Sequence, residues 1–399
     1  MSLLNGIFSI NQNPAELNMK SFAAHMLRLF PNGSAPLFAL SSQTGKSTAK
    51  STTHGYLSKT MTFIATTSTG GDTAAATTLT IGSNAGMTVG MVLLNLRTRE
   101  NVRVTNVPSG TTTVEVTRAF GRVAAAAMNA ADKLLQVGTA FAENSARPAA
   151  RQLSTEYIPN YTQIFRNAWG LSDTARASMS EQGYSNIAES RKDCSMFHSV
   201  DAEGAIIWGQ PKMDTTGSMP IHATQGVIDA IEQYAPGNTN TAGSTTTFAQ
   251  WVTLLEPAFQ YSTDLSNARS RVLFGDSTAV KVINDIGRLS GQVYITQNET
   301  SFGMNFTKFK FYKGEINIIE HPLMNGMGLS GCALVMDMPA LRLAYLEGRD
   351  TKAEEYGGNG KIVELGTDGV GGSLTTEFAV ELVNPYSCAY IDGLTAGAA

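Results

Sequence analysis

The sequence predicts an α+β chain in which a small all-β unit is inserted into a longer extended excursion. Three observations carry this. Residues 67–146 are rich in Thr, Ala and Gly and break into short stretches of period-two alternation. Residues 172 to 208 form one long polar helical run. Beyond residue 215, helices with apolar faces are interleaved with buried strands.

The elements follow in chain order. In "PAELNMKSFAAHMLRLF", residues 14–30, Leu17, Phe22, Met26 and Phe30 recur at helical spacing between Pro14 and a "PNG" stop, which reads as an amphipathic arm. "SSQTGKSTAKSTTHGY", residues 41–56, holds the second half of a phosphate-binding loop in Gly45, Lys46 and Ser47. The pattern needs a glycine five residues earlier, where Leu40 stands, and neither an apolar strand nor a helix flanks it. The expectation is a flexible, mildly basic loop carrying Lys46, Lys50 and Lys59. From Tyr56 to Ala65, Leu57, Met61 and Phe63 alternate with polar residues as in a strand, and "TEYIPNYTQIFRN" at 155–167 is a second extended stretch. Pro159 marks that second stretch as an edge or interrupted strand.

Between them lie "TTLTI", "MVLLNLRT", "ENVRVTNV", "TTVEVTR" and "KLLQV". Val92, Leu94 and Leu96 are expected to share the buried face of the second stretch, as are Val102 with Val104 and Val114 with Val116 in the next two. With a "PSG" hairpin turn at 108–110, five short strands of one buried face predict a closed or sandwiched β-unit. The helix that follows is capped by Ser172 or Asp173, is weakened at Gly183 and carries a thin stripe of Ile187, Cys194, Phe197 or His198, Asp201, Ala205 and Trp208. Further helices are marked by Val227, Ile231 and Tyr234, by Phe248, Val252, Leu255 and Phe259, and by Val280, Ile283 and Ile286 after a cap at Asp276 or Ser277. "RVLF", the hairpin "FTKFKFYKGEINIIEHP", "CALVMDM" and "LRLAYL" read as strands. "EGRDTKAEEYGGNGKIVELGTDGVGGS" reads as a loop, and Leu374, Thr376, Phe378, Val380 and Leu382 line one face of a closing strand.

Composition narrows the function classes. Charged residues make up 16% of the 399, against about 25% in an average globular protein. Thr, Ser, Ala, Asn and Gly fill the difference, which suits β-rich surfaces pressed against neighbours. A net charge of −4 gives no support to a basic nucleic-acid groove. Cys194, Cys332 and Cys388 have no metal or redox spacing and read as small buried hydrophobes of a reducing compartment. No signal-peptide pattern opens the chain and no run of about 18 apolar residues predicts a membrane span, so a soluble, cytoplasmically made protein is expected.

The search for catalytic constellations is negative. His25, His54, His198, His222 and His321 lack metal-ligand spacing; "IEHP" is no zinc helix, "GLSG" is no nucleophile elbow, and the late glycines open no dinucleotide helix. No enzyme activity, cofactor or metal is expected.

The order of arm, two-stranded excursion, long helix, α/β body and returning strand resembles the HK97-like fold of tailed-bacteriophage major capsid proteins. The segment from "LTIGSNAGMTVGMVLLNLRTRENVRVTNVPSGTTTVEVTRAFGR" to "VGTAFAENSARPAARQ" is similar to the β-domain that one subgroup inserts in its E-loop. "NYTQIFRNAWGLSDTARA" looks like the entry to the spine helix, and "INIIEHPLMN" with "CALVMDMPALRLAYL" like A-domain strands. The resemblance implies an N-terminal arm at 1–35, an outgoing E-loop strand at 36–66, the inserted β-domain at 67–146 and the returning strand at 147–167. It further implies a P-domain with the spine helix at 168–214, an A-domain at 215–339, and a return to the P-domain with the C-terminal strand at 340–399.

What the resemblance implies about function is a shell subunit that forms hexamers and pentamers of an icosahedral head enclosing double-stranded DNA. Its partners would be copies of itself, a portal protein, a separate scaffolding protein or none, and a decoration protein where one is used. Packaged DNA would be met without sequence preference, and no membrane is involved. Residues expected at subunit interfaces are Phe22, Met26 and Phe30 of the arm; Lys46, Lys50, Tyr56 and Lys59 leading into the excursion; Arg97, Arg118 and Phe120 of the insert; and Tyr157 and Tyr161 of the return. Gly183 is the expected hinge of the helix. A β-rich tail or adhesion protein and an encapsulin-like compartment are the competing readings, separable by particle shape and by cargo. A nucleotide-binding enzyme would need Lys46-dependent binding.

Overall fold

A computed structural model of the chain describes residues 37, 46–59, 64–110, 112–148, 150–177, 186–243, 246–263, 269–290, 296–301, 304–357 and 369–395. The chain divides into two compact units, Met1–Tyr56 with Ile158–Ala399, and Leu57–Tyr157. Phe22, Met26, Phe30 and Gly183 lie outside the described residues.

The stretch expected as a flexible loop at the GKST segment is ordered instead. Lys46–Ala49 is strand β1 and Thr53–Ser58 is β2. The β-branched and small residues of "KSTA" suit a sheet edge, and Ala49 is fully buried beneath it.

In the unit Leu57–Tyr157 the strands are β3 (Ala65–Thr67), β4 (Thr78–Thr80), β5 (Met91–Asn95), β6 (Asn101–Asn106), β7 (Thr113–Thr117) and β8 (Lys133–Thr139). Among the described residues this sheet has six strands, one more than the five expected, because Ala65–Thr67 joins it. They pair in the order β3-β8-β5-β6-β7-β4. A bridge between Ser68 and Ile81, with Thr69 N–H donating to the Thr80 carbonyl at 2.9 Å and Gly82 N–H to that of Thr67 at 2.8 Å, ties the two outer strands together. The sheet therefore closes on itself around Leu79, Ile81, Met91, Leu93, Val102, Val104, Val114, Val116 and Leu134. Each such side chain contributes roughly 1.5–3 kcal/mol of burial. In β5 Met91, Leu93 and Asn95 are fully buried; of the expected Val92, Leu94 and Leu96, Val92 is buried, Leu94 is half-buried and Leu96 is exposed. Both alternating sets of that strand are largely apolar, so alternation alone did not choose between them. The β6–β7 hairpin is pinned at its turn by the Asn84 side-chain amide, which donates to the carbonyls of Pro108, Gly110 and Thr113.

Strands β9 (Glu156–Tyr161) and β10 (Gln163–Ser172) replace the single extended stretch expected at 155–167. β9 pairs with β2 in a two-stranded ladder. Ser172 Oγ accepts from Ala175 N–H at 3.2 Å and caps helix α1 (Asp173–Ala177); α2 runs from Asn186 to Trp208. On α2 the buried residues include Cys194, His198, Ala202, Glu203, Ile206 and Ile207, whereas Phe197, one of the two expected alternatives, is 59% exposed. A hairpin of β11 (Lys212–Asp214) and β12 (Ile221–Ala223) leads to α3 (Val227–Tyr234), β13 (Thr239–Thr241) and α4 (Phe248–Leu255). Thr247 and Gln250 form a reciprocal capping box at the start of α4.

Then come β14 (Ser270–Gly275), α5 (Ser277–Ser290), β15 (Thr296–Ser301), β16 (Met304–Phe311), β17 (Gly314–Glu320), α6 (Pro322–Gly326) and β18 (Ala333–Met336). Asp276 accepts from Thr278 and Ala279 N–H and is the α5 cap. The chain closes through β19 (Leu341–Leu346), β20 (Lys352–Tyr356), β21 (Gly369–Leu382) and β22 (Ala389–Asp392). The expected loop at 347–373 thus contains a strand, β20, and the start of β21. The glycines in it serve packing. A Cβ on Gly372 would stand 2.6 Å from the Glu354 carbonyl oxygen and 2.7 Å from Trp169 Nε1, so only glycine lets the indole lie on β21.

Two sheets organise this unit. One has the order β1-β19-β21-β10 with β20 also on β21; the other has the order β13-β22-β18-β14-β17-β16-β15. α2 packs on β10 and β21 through a core that includes Phe165, Ile206, Ile207, Val227, Leu341 and Phe378. The seven-stranded sheet, α4 and α5 share a second core of Trp251, Leu255, Leu273, Ile283, Ile316 and Val335. The last strand, β22, lies in this second sheet between β13 and β18.

Candidate assembly surfaces

Three polar assemblies fix the elements that carry the exposed surfaces. The first sits at the root of the β2–β9 ladder. Ser47 Oγ donates to Glu381 Oε2 at 2.8 Å, and His54 Nε2 lies 3.0 Å from the same oxygen, so one half-enclosed carboxylate of β21 holds both β1 and β2. On the return, Asn160 donates to the Val380 carbonyl at 2.6 Å and accepts from Gln225 N–H at 2.7 Å. Thr162 Oγ1 donates to Glu377, which also receives Arg349 Nε at 2.5 Å. Asn160, Thr162, Glu377 and Glu381 each have their partners, as burial demands.

The second assembly bolts α2 to the sheet. Asn167 Nδ2 donates to Asp201 at 2.7 Å, which fixes the amide so that its oxygen faces His198 Nδ1 at 2.8 Å. An amide oxygen only accepts, so Nδ1 carries the proton, and Nε2 lies 2.8 Å from Thr376 Oγ1, a hydroxyl also bonded to Thr351 Oγ1 at 2.9 Å. Burial holds the imidazole below its ordinary pKa, partly offset by Asp201. Along the same helix, Arg191 stacks 5.0 Å above the Trp169 ring and donates to Glu355 of β20 at 2.6 Å. Glu203 and His321, both fully buried, meet at 2.7 Å, and Glu203 also accepts from Leu37 N–H.

The third lies at one end of the insert. Arg118 donates two bonds of 2.8 Å to Glu100, whose carboxylate also accepts from Ala119 and Ala126 N–H. Burial opposes ionisation there, but those donors outweigh it and the carboxyl lies below its usual range. Arg97 grips Asp132 at 2.7 and 2.8 Å and holds that carboxyl far below the ordinary range against the cost of burial.

The expected interface residues are distributed as follows. Lys46 lies 3.6 Å from Asp350 and 4.9 Å from the Tyr345 ring, with half its side chain exposed. Lys50 and Lys59 are exposed, Tyr157 is 51% exposed, and Tyr56 is half-buried. Tyr161 stacks on His222 at 6.1 Å. Arg118 is spent on Glu100 inside the insert, whereas Arg97 and Phe120 keep exposed surface. Sequence reasoning missed the Glu381, Glu377, Glu203 and Glu100 anchors, because a lone acid in a strand or helix gives no sign that tertiary folding buries it. Among the described residues no group of His, Cys, Asp and Glu is arranged to hold a metal, and no helix is long and apolar enough to cross a membrane.

Residues 7–395 match the family model of the SU10 major capsid protein. The chain belongs to that family. The major capsid protein of Pseudomonas phage PaMx41 is 48% identical over 406 residues, 99% of this chain and 97% of that protein. This capsid subunit is also similar to solved structures from Microbacterium phage Oxtober96 (TM-score 0.48, 11% identity, 94% of this chain and 96% of that one) and Mycobacterium phage Cain (0.47, 10%, 94% and 92%). It is a shell-forming structural protein whose copies assemble with one another, and its place is the virion capsid. The tail, adhesion and compartment readings give way to this one.

Proposed function

We propose that the subunit builds hexamers and pentamers of an icosahedral head around double-stranded DNA, in an HK97-like arrangement. In this reading the β2–β9 ladder is the E-loop stem, Leu57–Tyr157 its inserted β-domain and α2 the spine. The observation that carries the reading is the family match across nearly the whole chain. The arrangement supports it: a two-stranded ladder leads to a separately cored unit, and a long helix packs on a sheet closed by a late strand. A portal protein at one vertex, and a separate scaffolding protein or none, are the partners this reading calls for. The exposed Lys50, Lys59 and Tyr157 are the side chains it assigns to neighbours.

The first test is negative-stain electron microscopy of the protein expressed alone, beside size-exclusion chromatography. Closed shells or six- and five-membered rings are expected, alone or after addition of the scaffolding partner. Fibres, trimers, or a monomer unchanged by scaffolding and portal proteins would overturn the reading.

A further inference from the structure

Residues 57–157 hold nine Lys and Arg against six Asp and Glu, a net of +3. The chain's total of −4 therefore leaves −7 on the remaining residues. The excess of positive charge has a location. The β5–β6 turn, the 118–127 loop and the start of β8 meet at one end of the closed sheet: Phe120 N–H donates to the Asn101 carbonyl, Arg97 to that of Ala127, and Leu96 N–H to that of Lys133. Three acids lie at this end: Glu100 and Asp132 are buried and already bound by Arg118 and Arg97, and the half-buried Asp72, whose carbonyl accepts from Met128 N–H, is held by Thr80 N–H. Arg99, Arg122 and Lys133 remain exposed and form no ion pair with any described residue.

The surface is built as well as charged. Arg99 stands at φ 61° in a turn whose Arg97 and Thr98 N–H groups are both held by Asn95 Oδ1 at 2.9 and 3.1 Å. Asn95 in turn donates to Asp132 at 3.0 Å. Arg99 is thus displayed from a braced turn, and little ordering of that turn remains to oppose association. Leu96 and Phe120, each 38% exposed, belong to the same loops. Exposed arginine beside aromatic and aliphatic surface is the composition of contact patches that carry binding energy.

We propose that this end of the insert docks on an acidic surface of a second copy of the chain, outside that copy's residues 57–157. Charge complementarity selects this occupant: a family whose subunits assemble with one another offers, in each copy, a −7 remainder for a +3 insert. The inference rests on the shell-forming reading above and specifies which surfaces meet.

The test uses the full chain. A photo-crosslinking residue replaces Phe120 in isotopically light subunits, which are co-assembled with heavy wild-type subunits, and mass spectrometry identifies the joined peptides. Light-to-heavy crosslinks from position 120 to Asp- or Glu-bearing segments outside 57–157 are expected. Crosslinks between two inserts, within one copy only, or to packaged DNA only would overturn the proposal while leaving shell formation intact. A wild-type chain that never assembles would count instead against the shell reading. In parallel, Arg99→Glu with Arg122→Glu, both exposed and outside the core, is expected to raise the concentration needed for assembly about tenfold at low salt, with the gap closing in 1 M salt. Unchanged assembly of the double variant at low salt would also overturn it.

Discussion

Replacing Arg118 by Ala isolates the cost of a buried charge in the insert. Glu100 is fully buried and accepts four bonds, two from the guanidinium and two from the N–H groups of Ala119 and Ala126. The substitution removes both charge-assisted bonds and leaves a carboxylate with two backbone donors and no countercharge. Breaking one side of such a pair costs about 3–5 kcal/mol. The same arginine ties in the carbonyls of Thr73 and Ala126, so the loops around the pair lose their fastening too. A readout local to the insert is amide hydrogen exchange at Val102, Val104 and Val116 in its core. Protection there is expected to fall by about two to four decades at pH 7. The loss relative to wild type shrinks as the pH is lowered. The wild-type Glu100 pKa is depressed, so its contribution disappears in acid, while in the variant protonation relieves the stranded charge. Glu100→Gln with Arg118→Met keeps an acceptor and removes both charges, and should recover at least about 2 kcal/mol of the loss. A fall of less than tenfold in the single variant, or no recovery in the double, would refute the reasoning.

Three further outcomes follow from the body of the chain. His198→Gln should destabilise the packing of α2 on the sheet by about 1–3 kcal/mol at pH 7. Because burial depresses the folded pKa of His198, its contribution is full above the unfolded value near 6.5 and is lost as the pH falls below it; the wild-type advantage should therefore narrow towards pH 5 in urea melts, and a widening gap would contradict the neutral imidazole. Gly372→Ala should cost about 1–3 kcal/mol by driving Trp169 off β21, read as a red shift in tryptophan emission with faster exchange at Glu354; an unshifted spectrum and unchanged stability would disprove the contact. Lys46→Ala removes an exposed pair at 3.6 Å and should cost under about 1 kcal/mol in thermal melts, a difference that disappears in 1 M salt.

What was legible in the sequence is what short-range pattern encodes. Val102 with Val104 and Val114 with Val116 announced their buried faces because polar residues occupy the alternate positions. β5 did not, since Met91 to Leu94 are apolar throughout, and only its neighbours select the face. The 347–373 segment read as loop because charges and glycines deplete strands, yet β20 forms there by pairing with β21, and Gly372 is present to admit Trp169. The GKST segment read as a loop for a similar reason: β1 pairs in parallel with β19, nearly three hundred residues away, and no local window contains that partner.

The buried polar contacts obey the same rule and suggest what they are for. Glu203–His321 and Arg271–Asp337 join residues far apart in sequence, and buried ion pairs as a class are often replaceable, on energy alone, by well-packed apolar side chains. An apolar replacement would tolerate small slips of one element over another. A carboxylate that must meet one imidazole at 2.7 Å, and also one backbone N–H, does not. Specificity of position is the property a lattice subunit needs most, because a small error in the angle between its surfaces is repeated at every contact around a closed shell. It follows that Glu203→Leu with His321→Leu should fold at a cost of about 1–3 kcal/mol, set by the stranded Leu37 N–H, yet assemble into shells of less uniform diameter. Particle-size distributions by electron microscopy measure this directly, and a double variant with wild-type uniformity would show that the pair sets no geometry.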